Sequence, residues 1–392
     1  MPRALIAGAG IGGLTAALAL ARIGIDVVIL ERTRVLEEFG AGVQLSPNAT
    51  RILRRLDALG AVASQAIAPR AIRLMRGRDG GALAELALRD AETRWGAPFL
   101  VLHRSRLQRA LVERVARQGN ISLRMGAEIG GFAVDETGVS VGVRVGAISL
   151  RERGDFLIGA DGLRSIVRER LGVGEAKPPR FLRRIAFRAL IDAERADPRW
   201  REPEVTLRLG SGAHLVHYPL PGSALNVVAV IESNWRGDAS EEAWDGEADI
   251  ASLHRAFASW SPDARALIAL AQGWRAWPLY DRPPLASFAA GRVALLGDAA
   301  HPVAPFLAQG AAQAIEDAGA LAEAFAQTRD IVAALAHYSA ARVTRANRVQ
   351  AEAGAQSRLY HMRGPLALAR DWTMRALGPQ RLLRRYDWLY GA

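Results

Sequence analysis

The sequence contains no cysteine, only one lysine and few aromatic residues. Phe, Trp and Tyr together make up 6% of its 392 residues, whereas half of the residues are hydrophobic. The lack of cysteine excludes disulfide bonds, zinc–thiolate sites and a cysteine nucleophile, and it is typical of a reducing compartment. We therefore expect a cytoplasmic, globular protein, long enough for two packed domains or for one large domain with an insertion.

Positive charge is abundant but is not clustered. The formal net charge is +11, and Lys177 is the only lysine, so nearly all of the positive charge comes from arginine. The arginines form no long basic run or tail, and no face combines basic with aromatic residues. We interpret the charge as a compositional bias that attracts anionic ligands modestly, and we expect neither nucleic-acid nor membrane binding.

The N-terminal residues have the pattern of a strand, a glycine-rich turn, a helix and a second strand. Residues 3–7 predict a buried strand, residues 8–13 form the motif G-x-G-x-x-G, and residues 14–23 predict a helix that ends at Gly24. A second strand over residues 26–30 follows. An uncharged run of this kind is also compatible with a signal peptide or a membrane span, but the spaced glycines and the lack of a cleavage or stop-transfer pattern argue against both.

Each part of this motif has a physical role in binding a dinucleotide. Gly8 permits a tight turn, Gly10 lets a pyrophosphate approach the backbone, and Gly13 allows close packing of helix and strand. The helix N-terminus offers free N–H groups to phosphates. Glu31, at the end of the second strand, is suited to bind the ribose hydroxyls of an adenosine.

Two later runs also place an acid at the end of a buried strand. Asp161 follows the apolar residues 156–160, and Asp298 follows residues 293–297. An acid in this position lies where open α/β sheets bind ligands, although an ordinary turn with a helix cap is the alternative for Asp161. After Asp298, a loop shaped by Pro302 and Pro305 leads into an Ala-rich helix whose free N–H groups could face a ligand ring.

Alternating apolar residues predict a second, mainly antiparallel sheet. The expected strands are a hairpin at 71–76 and 82–88, and further strands near 182–191, 204–209, 213–220 and 225–232, before an amphipathic helix at 250–260. Strands are also expected over 128–150, with turns at Gly130-Gly131 and at 136–138.

The remaining segments are predicted to be loops and helices. The glycine-containing segment 37–49 is either a loop that admits a flat ligand or a surface loop. We expect one helix over 49–59, which Gly60 ends, and another over 107–118. The chain from Ile331 to the end is also predicted to be helical, with breaks at Gly364-Pro365 and Gly378-Pro379.

Three separated motifs resemble those of the single-component FAD-dependent aromatic hydroxylases, flavoprotein monooxygenases typified by salicylate hydroxylase and 3-hydroxybenzoate 6-hydroxylase. They are the N-terminal glycine motif, Asp161-Gly162 and Gly297-Asp298. The run GDAAHPVAPFLAQGAAQAIEDA at 297–318 and the ending YDWLYG at 386–391 are also similar. The resemblance covers essentially the whole chain.

The resemblance implies an α/β fold, in which a Rossmann-type FAD-binding domain carries an inserted, mainly antiparallel β-sheet substrate domain and a C-terminal helical segment. The implied boundaries are 1–70, 100–175 and 271–345 for the discontinuous FAD-binding domain, 71–99 and 176–270 for the substrate domain, and 346–392 for the helical region.

It also implies FAD as the cofactor and NAD(P)H as a donor that binds without a Rossmann domain of its own. The adenosine and phosphate side of FAD is assigned to Glu31 and Arg32, and the ribityl or pyrophosphate region to Asp298. The complete implied cofactor set is Gly8, Gly10, Gly13, Glu31, Arg32, Arg104, Gln108, Asp161, Asp298, Pro305, Gly310 and Ala311.

In this family, a flavin C4a-hydroperoxide attacks an electron-rich ring, so the protein must help a phenol to lose its proton. His214 and Tyr218 are the candidates for the base or proton relay, because residues four apart in a strand share one face and lie roughly 13 Å apart. The alternative is that both residues only pack. His217, on the opposite face, is expected to be structural. His301, which follows Asp298, is expected to be a loop histidine near the flavin and not a catalytic residue.

We therefore expect a monooxygenase that hydroxylates a small phenolic or N-heteroaromatic acid with NAD(P)H and O2. The alternatives are the same fold acting on a purine, a polyketide or a quinone precursor, or a flavin-binding protein without turnover. The expected partners are a small aromatic substrate and O2, in a monomer or homodimer without a metal. Among so many arginines, the sequence nominates none for a substrate carboxylate.

Overall fold

A computed structural model describes residues 1–36, 42–173, 177–234, 246–247 and 249–391. The first part of the predicted ligand loop, residues 37–41, lies outside the described residues. The strands are β1 Arg3–Ala7, β2 Asp26–Glu31, β3 Gly42–Leu45, β4 Ala71–Arg76, β5 Ala82–Ala87, β6 Leu100–His103, β7 Ile121–Met125, β8 Ala127–Val134, β9 Val139–Val145, β10 Ile148–Gly154, β11 Phe156–Gly159, β12 Arg180–Asp192, β13 Val205–Gly210, β14 Ala213–Leu220, β15 Ala224–Glu232, β16 Gly246–Glu247, β17 Arg275–Asp281, β18 Ala289–Ala290 and β19 Val293–Leu295.

The helices that the sequence predicts are present, with several bounds shifted by a few residues, and further helices that it did not predict lie between them. They are α1 Ile11–Arg22, α2 Pro47–Arg55, α3 Leu59–Ala63, α4 Ala91–Trp95, α5 Arg104–Ala116, α6 Ile166–Leu171, α7 Ile250–Phe257, α8 Pro262–Leu270, α9 Gly310–Gln327, α10 Ile331–Tyr360, α11 Gly364–Arg384 and α12 Asp387–Tyr390. Helix α11 is kinked at Gly378, which has non-helical backbone angles.

A six-stranded sheet in the order β18-β19-β11-β1-β2-β7 forms the first core. Strand β1 lies parallel to both β2 and β11, and β11 lies parallel to β19. These strands are buried on both faces, as expected of a parallel sheet covered by helices. Their C-terminal ends, where the motif residues follow, therefore meet at one edge of the sheet.

An eight-stranded, mainly antiparallel sheet in the order β16-β17-β12-β15-β14-β13-β4-β5 forms the second core. Helices α7 and α8 cover one face through Leu253, Phe257 and Leu267. The other face carries Tyr218 and Val230 and packs with C-terminal residues such as Tyr360. The predicted α/β fold, with a mainly antiparallel second sheet and a helical C-terminal segment, is confirmed.

Two glycine-based predictions were wrong. Gly130-Gly131 makes no turn, because β8 continues through it with a register shift, and the guanidinium of Arg170 occupies the space where a side chain at Gly131 would lie. Gly60 does not end the preceding helix either. That helix stops at Arg55, Asp57 takes a left-handed conformation (φ 54°), and Gly60 lies inside α3.

Strand β17 pairs with β12 in the eight-stranded sheet, although its residues fall in a segment that the sequence prediction grouped with the cofactor domain.

Within the described part of the chain, no helix is long and apolar enough to cross a membrane. The same residues contain no group of three or more His, Cys, Asp or Glu side chains arranged to hold a metal ion.

Candidate functional site

A cleft of about 360 Å³ that opens to solvent lies between the two large sheets. One wall is the start of α1 around Gly10, and another is the segment from Leu296 to Ala314. The eight-stranded sheet contributes Arg188, His214 and Tyr218. The cleft therefore joins the glycine motif, the Gly297-Asp298 segment and both predicted catalytic residues.

The glycines of the N-terminal motif differ in what surrounds them. Gly8 has a φ of 98°, and a side chain there would come within 2.7 Å of the carbonyl oxygen of Ala160. A side chain at Gly13 would clash with the carbonyl oxygen of Gly8. At Gly10, by contrast, no atom apart from those of Gly10 and its two chain neighbours lies within 4 Å of the position a Cβ would take. Gly8 and Gly13 thus serve the fold, while Gly10 leaves open space beside the helix N-terminus.

Glu31 and Gln108 hold the turn itself. Glu31 accepts hydrogen bonds from the N–H of Ala9 at 2.7 Å and from Thr33 through both its N–H and its hydroxyl, at 2.9 Å each. The side-chain amide of Gln108 donates to the carbonyl of Ala9 at 3.0 Å. Both side chains therefore lie at the predicted binding turn. Arg32, next to Glu31, is exposed.

The carboxylate of Asp161 is directed at the start of α6. It accepts hydrogen bonds from the hydroxyl of Ser165 at 2.6 Å and from the N–H of Val167 at 3.2 Å. Burial raises its pKa, and these hydrogen bonds oppose that shift. Its neighbours Ala160 and Gly162, rather than Asp161 itself, line the cleft.

The segment around Asp298 forms a second wall of the cleft. Asp298 lines the cleft together with Pro305, Gly310 and Ala311; the first two are exposed and the last two half-buried. The surrounding protein raises the pKa of Asp298, and the nearby positive charge of Arg104 opposes this. Arg104 itself lines the cleft as the first residue of α5.

Buried side chains hold this wall from beneath. Asp317 on α9 accepts hydrogen bonds from the N–H of Gly297 at 2.8 Å and pairs with Nε2 of His301 at 2.6 Å. Burial raises the pKa of Asp317, but His301 and Arg342 outweigh it and hold the pKa at about 2. Arg168 on α6 donates to the carbonyl of Ala300 at 3.0 Å, which ties the Asp161 segment to the Asp298 segment.

The two predicted catalytic residues lie on the same face of β14 and line the same cleft. Burial raises the pKa of Tyr218, so its phenol stays protonated at neutral pH. A side chain at Gly42 would come within 2.6 Å of the Tyr218 hydroxyl, so a glycine is needed there. Burial, with His361 and Arg184 nearby, lowers the pKa of His214, so its imidazole is neutral.

His217 and His301, the two histidines that were not predicted to be catalytic, lie away from the cleft lining. His217 is buried and is hydrogen-bonded to Nη1 of Arg208 at 2.8 Å. His301 is buried against Asp317 and does not line the cleft.

Sequence reasoning missed two residues, Arg188 and His361. Arg188 on β12 lines the cleft beside Tyr218, and His361, which follows α10, is hydrogen-bonded to His214 at 2.8 Å. A charged residue at the centre of the apolar strand 185–191 was a usable signal for Arg188. No sequence signal joined His361 to His214, because the two residues are 147 positions apart.

The chain matches the family described as FAD binding domain over residues 2–353. It is 36% identical to a 3-amino-4-hydroxybenzoate 2-monooxygenase of Streptomyces platensis, with 100% of this chain and 96% of that protein covered. It is also 36% identical to 3-hydroxybenzoate 6-hydroxylase 1 of Aquipseudomonas alcaligenes, with 99% and 97% covered.

Solved structures share the fold over nearly the whole chain. HpxO of Klebsiella pneumoniae, in complex with FAD and uric acid, has a TM-score of 0.85 at 27% identity, with 98% of this chain and 95% of that one covered. A salicylate hydroxylase substrate complex has a TM-score of 0.84 at 24% identity, with 100% and 95% covered, and this second likeness is one of fold alone.

Proposed function

We propose, because this chain belongs to the family of FAD-dependent aromatic-ring monooxygenases, that it hydroxylates a small phenolic or N-heteroaromatic acid of the salicylate or hydroxybenzoate type. FAD, when bound, activates O2 after reduction by NAD(P)H. The residues of the chain then have to bind the acid, orient its ring and manage the proton of its hydroxyl group.

The observation that carries this proposal is the unpaired guanidinium of Arg188. In the part of the chain that the structure describes, the guanidinium of Arg188 makes no hydrogen bond or ion pair, and its Nε is sealed from solvent without a partner. The guanidinium carbon lies 5.4 Å from the centroid of the Trp277 ring. Burial lowers the pKa of Arg188, and the charge of Arg104 adds to this effect.

An unpaired charge in this environment calls for an anionic ligand. Removing one partner of a buried ion pair typically costs about 3–5 kcal/mol, so a lone buried cation is a destabilising feature unless a ligand pairs with it. A carboxylate fits a guanidinium in a bidentate manner. Arg188 lies in the same cleft as His214 and Tyr218, so one aromatic acid can satisfy all three side chains.

The cofactor is assigned to the opposite wall of the cleft. The open space at Gly10, the free N–H groups at the start of α1 and the N-terminus of α9 at Gly310 suit a pyrophosphate and an electron-rich ring edge. We assign direct contacts with FAD to Gly10, Arg104, Asp298 and the backbone of 305–311. In this proposal Gly8, Gly13, Glu31, Gln108 and Asp161 shape or border the site, and Arg32 remains assigned to the phosphate side.

The proposed domains follow the two large sheets. We assign residues 1–70, 100–175 and 282–345 to the FAD-binding domain, and 71–99 and 176–281 to the substrate domain, with the second boundary placed after β17 because of its pairing with β12. Residues 346–392 remain assigned to the C-terminal helical region. A cytoplasmic location is inferred from the lack of cysteine and the use of NAD(P)H, and a monomer or homodimer remains a prediction.

A binding experiment with matched acid and amide tests the proposal. We expect 3-hydroxybenzoate to perturb the flavin absorbance of the oxidised FAD-loaded protein and to stimulate NAD(P)H oxidation. Arg188→Gln should raise the Kd of the acid by about 10- to 100-fold, as expected for loss of a hydrogen bond between charged groups. The Kd of 3-hydroxybenzamide should change less than about threefold, since the amide carries no charge.

Two further variants serve as controls. Arg188→Lys keeps the charge and should recover part of the affinity, while Arg144→Gln alters an exposed arginine of β9 outside the cleft lining and should change neither Kd. Equal weakening of acid and amide in Arg188→Gln would contradict the assigned role. Uric acid, the ligand of the HpxO complex, belongs in the same panel, and a response to uric acid alone would favour a purine substrate instead.

A further inference from the structure

His361 extends the catalytic site beyond the cleft. It is the residue that follows the last turn of α10, and its Nε2 lies 2.8 Å from Nδ1 of His214. The two ring centroids are 5.1 Å apart, and both residues are buried. Nε2 of His214 has no hydrogen-bond partner among the described residues, and His214 lines the cleft. His214 thus has one nitrogen facing His361 and the other free for a ligand.

The outer nitrogen of His361 is paired with an arginine. Nε of Arg184 lies 3.2 Å from Nδ1 of His361. The guanidinium group has donors only, so Nδ1 of His361 must be the acceptor in this hydrogen bond. Glu232 is the other group near this nitrogen, but its carboxylate lies 3.8 Å away and is already paired with Arg363 and Arg184.

Both imidazoles are neutral, so each carries a single proton. Burial lowers the pKa of His361 to about 3, and the charges of Arg184, Arg363 and Arg370 act in the same direction. With its Nδ1 accepting from Arg184, His361 must hold its proton on Nε2 and donate it to Nδ1 of His214. The one proton of His214 is then on Nε2, the nitrogen that is free toward the cleft.

We propose that His361, held by Arg184, fixes His214 in the Nε2–H tautomer. His214 then donates a hydrogen bond to the phenolic oxygen of the substrate and does not act as the base that removes the phenol proton. This inference rests on the proposed function, and it makes His361 a positioning residue. A hydrogen bond from Nε2–H of His214 stabilises the phenolate form of the substrate. The phenol proton passes to water, since the cleft is open to solvent.

Two substitutions of His361 separate the donor role from simple packing. In His361→Gln, the amide can accept from Arg184 and still donate to His214, so the polarity is kept. In His361→Glu, an ionised carboxylate can only accept, so His214 must place its proton on Nδ1 and present a bare Nε2 to the cleft. The two side chains are similar in size, which makes them a matched pair.

The first measurement is ¹⁵N NMR of histidine-labelled, FAD-loaded protein without substrate. The His214 signals are identified by their loss in His214→Asn. Wild type and His361→Gln should show a protonated Nε2 and a bare Nδ1 at His214, and His361→Glu should show the reverse. A proton on Nδ1 of His214 in the wild type would overturn the proposal.

The second measurement is the ultraviolet titration of the phenol of bound 3-hydroxybenzoate in the oxidised protein. Loss of a charge-assisted hydrogen bond should lower the phenolate-to-phenol ratio in His361→Glu about tenfold at a fixed pH, relative to wild type and to His361→Gln. The pH profile of kcat should shift accordingly, with KM changed less than about threefold, because the carboxylate contact is intact. Identical titrations for the Gln and Glu variants would also overturn the proposal.

The two measurements keep this inference distinct from the proposed function. If 3-hydroxybenzoate binds to none of the variants, the substrate assignment fails, while the tautomer of His214 is still read directly from the spectra. If His361→Glu does not yield FAD-loaded protein, the wild-type and His361→Gln spectra decide the question alone.

Discussion

At the scale of single residues, the side chains around the cleft differ in whether they hold protein backbone or face open space. Glu31 and Gln108 bind the peptide of Ala9, and Asp161 binds the start of α6. Gly10 and Arg188 instead have no protein partner at the positions where a ligand would contact them. Unfilled space and unpaired charge therefore indicate the ligand more directly than the presence of an acid does.

A pair of glycine substitutions tests this distinction. Gly10→Ala should leave the stability of the FAD-free protein within about 1 kcal/mol, the usual difference between caps at a helix N-terminus. It should nevertheless weaken FAD binding at least about tenfold, because its methyl group enters the space assigned to the pyrophosphate. Gly13→Ala should destabilise the protein itself by about 1–3 kcal/mol or more, because its methyl group meets the carbonyl of Gly8.

Urea unfolding of the FAD-free protein and fluorescence titration with FAD measure the two effects separately. Loss of FAD affinity in both variants in proportion to their loss of stability would contradict the separate roles.

At the scale of elements, the cleft depends on how α9 is held against α10. Arg342 on α10 pairs with Asp317 at 2.6 Å and with Glu316 at 2.7 Å, and Arg345 pairs with Glu316 at 2.6 Å. Asn48 on α2 also donates to Glu316. Asp317 also accepts a hydrogen bond from the N–H of Gly297. This buried network therefore holds the N-terminal half of α9 and the Asp298 segment in place relative to each other.

Removal of Arg342 should therefore affect both stability and cofactor binding. Arg342→Leu removes one charged partner from each of two buried carboxylates, leaving Asp317 with His301 and Glu316 with Arg345. We expect a loss of about 3–5 kcal/mol in the free energy of unfolding. FAD affinity should fall as well, because the cleft wall at Gly310 starts on the same helix.

The control is Arg55→Ala, which removes an exposed ion pair with Glu323 on the same helix α9. Exposed pairs contribute about 0–1 kcal/mol, so urea unfolding should detect little change. A loss in Arg342→Leu no larger than in Arg55→Ala would show that the network does not hold the helices.

At the scale of the whole molecule, local sequence patterns predicted the fold well wherever neighbouring residues determine it. The strand, turn and helix at β1 and α1, and the acids that follow β11 and β19, are patterns of this kind. Gly130-Gly131 misled because Gly131 makes room for the guanidinium of Arg170 within a continuous strand. Gly60 misled because Asp57 takes the left-handed conformation after the preceding helix. Pairing of β17 with β12, and of His361 with His214, joins segments far apart in sequence and leaves no local pattern.

The site could be predicted only in part for the same reason. The sequence placed His214 and Tyr218 on one face of a strand, and both do line the cleft. A charged residue inside the apolar strand 185–191 is a signal for Arg188. The property that links this arginine to a ligand, the lack of an ionic partner in the folded chain, is not visible in the sequence. Whether a charge is paired is a tertiary property, so composition and spacing do not reveal it.

The most direct test of the central claim is ¹⁸O₂ incorporation by the FAD-loaded protein with NADH and with NADPH. The panel comprises salicylate, 3-hydroxybenzoate, 3-amino-4-hydroxybenzoate, 6-hydroxynicotinate and uric acid. We predict that at least one of the aromatic acids stimulates reductant oxidation and yields a ring-hydroxylated product with one labelled oxygen per reductant consumed. Bound FAD without stimulation by any acid, or oxidation that yields only hydrogen peroxide, would contradict the assignment as an aromatic acid hydroxylase.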